Sequence, residues 1–297
     1  VTVDGSLYEL PFRSDYWLIY YNKDVFDAAG IAYPSNDMTM EDYDALARQL
    51  TDTTYGSQVY GCHYHTWRSA VELFGILDGK HSILDGNYDW MIPYYDMILS
   101  EEDDGVCQTY TDLSTEGLHY SAAFSNGNVA MMNMGSWFIS TLISNLDSGE
   151  YDSSLCGNWG IASYPHPDGA EAGSTIATIT GLAVTSASAN KDAAFDFVNW
   201  VSGTEGAKVM ASTGNFPAIM TDDVINTIAG MAGFPTDESS KEALNITNAY
   251  LEVPYAENVS EINSILDTYH TSIMNREVTV EEGVASMNEQ VGKILNQ

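Results

Sequence analysis

DGSLYELPFRSDYWLIYYNKDVFDAAG, residues 4–30, carries more information about the fold than any other stretch of this 297-residue chain. Asp4-Gly5 opens a turn. Residues 7–12 read as a short strand that ends near Pro11. Residues 15–21, DYWLIYY, read as a second and more buried strand, because aromatic and β-branched side chains suit a pleated, covered surface. Asn22-Lys23-Asp24 breaks the run and caps a short helix over 25–29, which Gly30 ends. Arg13 and Asp15 fall between the two apolar runs. A cation and a carboxylate there either pair with each other or face a polar cavity.

Outward from this segment, strand and helix signals alternate. Thr39-Met40-Glu41-Asp42 resembles a capping box, and Tyr43, Leu46, Ala47 and Leu50 follow at helical spacing. Residues 56–67 read as a strand running into a loop, 69–78 as a short helix, and 90–100 as a helix closed by the acidic turn 101–104. Residues 129–134 form an apolar strand that Gly135-Ser136 turns into a helix near Trp137. Strands are expected over 158–164 and 175–184, the latter interrupted by Gly181. Asn190 caps a helix with Ala194, Phe197, Val198 and Val201 on one face, and Thr204 caps another over 205–211. The last stretch reads as mostly helical, with Thr279 capping the final helix. This order gives an α/β fold with a helical C-terminal extension.

Composition narrows the function. The chain is 44% hydrophobic with a mean hydropathy of −0.15, as in a globular protein. It has 42 acidic against 10 basic residues, a net charge of −32. A phosphate backbone or an anionic membrane surface would be repelled, so neither nucleic acid nor membrane lipid is an expected partner. No apolar run reaches the length of a membrane span. No basic, then apolar, leader opens the sequence, so an export signal is expected to be absent or already removed. Cys62, Cys107 and Cys156 lack zinc spacing, and no calcium loop is present. No metal or cofactor is therefore expected. For the cysteines, a Cys107–Cys156 disulfide and three free thiols are both open.

The opening segment resembles the hinge region of the family 1 extracellular solute-binding proteins, the sugar-capturing subunits of bacterial ATP-driven importers, which include maltose-binding protein. Gly5–Pro11 in the pattern G-x-L-Y-x-L-P, the acidic residue Asp15, and Tyr-Tyr-Asn-Lys-Asp-x-Phe-x-x-Ala-Gly-Ile over 20–31 match its three pieces. Further along, 124–137, 159–165, 181–206 and 213–218 resemble the family's later motifs in order. The resemblance implies a periplasmic-binding-protein-like, type II, two-lobed fold with crossing hinge strands. In the family the hinge segment is preceded by about a hundred residues, the size of a small domain. The N-terminal lobe is therefore expected to be incomplete: residues 1–17 and 179–220 would belong to it, and residues 18–178 and 221–297 to a nearly whole C-terminal lobe. Apolar surface is expected where the rest of the first lobe would pack, and a dimer could cover it.

Sugars present an apolar C–H face and a hydroxyl rim, so rings and carboxylates together make a plausible site. By resemblance, Trp137 stacks on the sugar and Asp15 accepts from its hydroxyls, with a salt bridge to Arg13 as the alternative. Tyr64, His65 and Trp67 lie where the family often places cleft residues. Gly181 would let ligand approach the second crossing strand, and Asn263 would add a contact from the C-terminal helices. The expected function is ligand capture and delivery to membrane permease subunits, from an extracellular, lipid-anchored or periplasmic location, without catalysis. A glycoside hydrolase is the competing reading, but it needs two carboxyl groups about 5–9 Å apart, and no pattern here places such a pair. A ligand-free scaffold is the third.

Overall fold

The computed structural model describes residues 2–52 and 58–296. Residues 56–57 of the strand expected over 56–67 lie outside them. In chain order the strands are β1 (Thr2–Val3), β2 (Ser6–Leu7), β3 (Leu10–Asn22), β4 (Tyr60–His63), β5 (Val129–Gly135), β6 (Trp159–Ser163), β7 (Ser174–Leu182) and β8 (Asn248–Leu251). β1 and β2 form a separate antiparallel ribbon. The other strands join in one mixed sheet, and helices occupy most of the connections.

β3 organises the molecule. The sequence suggests two strands broken near Arg13; the structure has one strand of 13 residues. A register shift between Pro11 and Arg13 absorbs the irregularity. A bulge lets the strand continue past a residue that has no N–H to give to the ladder. From Leu10 to Tyr16 the strand pairs antiparallel with β7. From Trp17 to Tyr21 it pairs antiparallel with β5, and from Leu18 to Asn22 with β6 on its other side. β4 runs parallel to β5, and β8 parallel to β7. A single strand thus passes from one group of partners to another at Tyr16-Trp17.

The second half of β3 lies in the core. Leu18, Ile19, Tyr20 and Tyr21 are buried, as are Met131 and Met132 of β5 and the rings of Phe124 and Phe138. Phe138 packs edge-on against Tyr20, Phe124 and Tyr120, contacts worth about 0.5–1.5 kcal/mol each beyond burial. The Tyr20 hydroxyl is satisfied by donating to the Gly135 carbonyl at 3.0 Å.

Local signals place many helix ends. The Asn22 side chain accepts from the Asp24 N–H, and Gly30 closes the helix Lys23–Ala29 at φ 68°. Tyr43, Ala47 and Leu50 of the helix Met40–Asp52 face the core as their spacing implies. The helix Trp137–Ser148 begins right after β5. Thr279 and Glu282 make the reciprocal capping box of the helix Val280–Leu295.

The C-terminal stretch is mostly helical, as expected, and also holds the short strand β8. One expectation about a helix face is corrected. The helix Lys191–Val201 buries only Val198; Phe197 of its expected inner face is 60% exposed, and Phe195 and Trp200 are exposed too. All three cysteines are free and buried. Cys107 groups with Cys62 rather than Cys156, because the end of the helix Ile92–Asp103 delivers it beside β4.

Candidate functional site

Where β3 changes partners, a cavity of about 420 Å³ opens beside Trp17. Its apolar wall is built by three tryptophans. Trp17 lies on β3, Trp67 just before the helix Ser69–Ile76, and Trp137 at the first turn after β5. The Trp17 ring stands edge-on to Trp137 at 5.5 Å and to Trp67 at 6.4 Å, and Trp67 is tilted against Trp137 at 6.2 Å. Trp137 Nε1–H donates to the Tyr120 hydroxyl at 3.1 Å, which fixes its ring. Trp67 is 40% exposed and offers the accessible face.

The rest of the lining is largely polar. Arg68 is buried, and each of its guanidinium nitrogens has a partner. Nε donates to Asp267 at 2.9 Å, Nη1 to Glu72, and Nη2 to the Asn263 side-chain carbonyl at 2.6 Å. Glu72 is itself buried, and desolvation pushes its carboxyl up to about 7 in spite of Arg68. The Thr178 hydroxyl on β7 donates to Glu252 at 2.5 Å. His270 accepts from or donates to the Tyr95 hydroxyl at 3.0 Å, depending on its tautomer, and burial pushes its pKa down to about 3, so it is neutral near pH 7. This wall offers carboxylate and amide groups to a rim of donors while the rings offer an apolar face.

Of the positions singled out in the sequence, Trp67, Trp137 and Asn263 line this cavity. Tyr64 and His65 line a separate space of about 10 Å³, room for no more than a water. Asp15 is buried and engaged: Arg13 forms an ion pair with it at 2.6 Å, and Ser136 donates to it at 3.0 Å. Burial pushes the Asp15 carboxyl up, against the pull of these two partners. Gly181 sits opposite Pro11 on β7, and a Cβ there would meet the Glu9 carboxylate.

Sequence reading passed over Trp17, Arg68, Glu72, Thr178, Glu252 and Asp267, all of which line the cavity. Two signals were available. Arg68 and Glu72, and likewise Asn263 and Asp267, stand four residues apart, the spacing that puts side chains on one helix face. Trp17 follows Asp15 by two positions, the same face of a strand.

Residues able to hold a metal lie elsewhere. Among the described residues, Cys62, Glu101 and Cys107 are all buried, with potential ligand atoms within 4.8 Å of one another. Desolvation pushes the Glu101 carboxyl up to about 8.

The family of bacterial extracellular solute-binding proteins matches residues 1–208. A sugar transporter from Rhizobium etli, solved in an open conformation, is 49% identical with a TM-score of 0.89; the match covers 98% of this chain and 73% of that one. An ABC substrate-binding protein from Listeria monocytogenes, in complex with cycloalternan, shares the fold at 22% identity and a TM-score of 0.81, over 99% of this chain and 73% of that one. The GacH receptor of Streptomyces glaucescens does so at 19% identity and 0.73, over 99% and 73%. No curated protein sequence matches the chain.

Proposed function

This chain belongs to the bacterial extracellular solute-binding proteins, and on that premise we propose that it is the carbohydrate-capturing component of an ABC importer. The observation that carries the reading is the cavity itself, whose lining combines three tryptophan rings with carboxylates and an amide. The family match and the 49% identity to a sugar transporter support it.

Trp67 and Trp137 stack on the pyranose face, the Asp267 and Glu252 carboxylates accept from its rim, and the Asn263 amide donates to it. Asn263 uses its carbonyl on Arg68, which leaves its amide N–H groups for ligand. The cavity carboxylates hold an arginine and a threonine in place, an arrangement suited to binding rather than to bond cleavage. Residues 1–17 and 179–220 act as part of one lobe, and 18–178 and 221–297 as the other. The strands that cross between them, β3 and β7, serve as the hinge. Captured sugar passes to a membrane permease, with the protein working outside the cytoplasmic membrane, lipid-anchored or free in a periplasm.

Titration of tryptophan fluorescence with neutral oligosaccharides tests this. A saturable change that Trp137→Ala shifts to about thirtyfold higher sugar concentration is the expected result; no response to any sugar would sink the reading.

A further inference from the structure

The polar wall of the cavity is unequal in charge. Glu72, Glu252 and Asp267 line it, and Arg68 is the cation among them. That guanidinium already faces a partner on each nitrogen and is 6% exposed, so a ligand anion would have to displace Asp267, Glu72 or Asn263 to reach it. Two of the carboxylates remain reachable. The Asp267 side chain is 62% exposed. Glu252 is half-buried, and its interaction within the wall is the bond from neutral Thr178. Arg13, the cation nearest along β3, is paired with Asp15. His270 adds no positive charge near pH 7. The tryptophan faces reinforce this sign, since a ring quadrupole attracts cations and repels anions. The chain's net charge of −32 adds a long-range field of the same sign.

We propose that this cavity is a charge filter. It admits sugars whose rim presents donors, hydroxyl or ammonium, and rejects sugars bearing carboxylate or phosphate, with Glu252 and Asp267 setting the selectivity. The proposal rests on the sugar-binding reading above and goes further by fixing the ligand's charge class.

The test uses the 297-residue chain and its tryptophan fluorescence. It is titrated at low ionic strength with neutral, amine-bearing and uronic-acid oligosaccharides, each in gluco, manno and galacto configurations. The neutral or amine-bearing members are expected to bind at least about tenfold more tightly than their uronic counterparts, a gap that added salt narrows because it screens exposed charge. Glu252→Gln together with Asp267→Asn is expected to shrink the gap at least threefold. Glu252→Gln alone, which leaves the Arg68 partners intact, is expected to shrink it in the same direction. Uronic sugars binding as tightly as neutral ones would overturn the filter while leaving sugar binding in place. A gap unmoved by Glu252→Gln and by the double substitution would overturn the role of these residues. Silence from all the sugars would overturn the sugar reading and the filter with it.

Discussion

The two halves of β3 live in different surroundings. From Trp17 to Asn22 the strand lies between β5 and β6, and its side chains are buried to within a few per cent. From Leu10 to Arg13 it is only half-buried, and the nearby helix Lys191–Val201 turns Phe195, Phe197 and Trp200 outward. Ile179 of β7, Val209 and Tyr8 are exposed as well. Propensity and periodicity are as good in the second region as in the first. The difference lies in how much neighbouring structure covers each apolar face, since burial, not helix or strand formation, supplies most of the stability.

The sharpest way to break this comparison is to cut into each side. Phe138→Ala removes a fully buried ring that touches Tyr20, Phe124 and Tyr120. It is expected to cost about 3–5 kcal/mol in denaturant unfolding; a loss below about 1 kcal/mol would mean that this core is no better packed than a surface.

The buried titratable groups of the covered region give the next largest effect. Glu72 and Glu101 are pushed up by burial to about 7 and about 8, from 4.5. The fold keeps these protons after the unfolded chain has released them, so their contribution is complete at low pH and drains away as pH rises through the folded values. His63, His65 and His270 are pushed down by burial to about 3, 4 and 3, from 6.5. Their contribution is present above 6.5 and lost as pH falls towards the folded values. The three histidines act only up to about pH 6.5, whereas Glu72 and Glu101 go on releasing protons above it. Stability should therefore peak near pH 6.5 and fall by about 2 kcal/mol by pH 8. Glu101→Gln should flatten that alkaline limb in thermal melts across pH, and stability still climbing from pH 6.5 to 8 would refute the assignment.

At the boundary between the regions, Trp137→Ala should weaken sugar binding by about 2 kcal/mol, near thirtyfold, while the unfolding midpoint moves less than for Phe138→Ala. Equal losses in both would make Trp137 a core residue instead. The smallest effect belongs to the uncovered region. Phe197→Ser should change stability by no more than about 0.5 kcal/mol yet lower the binding of an apolar dye. A core-sized loss there would show that the helix Lys191–Val201 is packed in solution.

Much of the fold was legible. The Asn22 cap, the Gly30 stop, the start of the helix at Trp137 and the Thr279 capping box depend on neighbours within a few residues, and the structure has each of them. The motifs over 4–31 and 124–137 also pointed to the family that the chain belongs to. The site was legible in part. Trp67, Trp137 and Asn263 meet in one cavity, but Asp15 is held by Arg13 and Ser136, and Tyr64 and His65 face a smaller space. Asp15 illustrates why: strand alternation says which face a carboxylate takes, not whether a serine 121 positions away reaches it first.

The sequence by itself therefore determined where strands and helices begin, that the chain is acidic throughout, and which family it joins, because these rest on local backbone chemistry, composition and ordered motifs. Only the tertiary structure decided that β3 is one strand shared between two sets of partners. It alone brought Arg68 to Asn263 and Asp267, 195 and 199 residues away, and turned Phe197 outward. Those outcomes depend on which distant surfaces meet, and apolar or polar character along a chain does not say what will cover it.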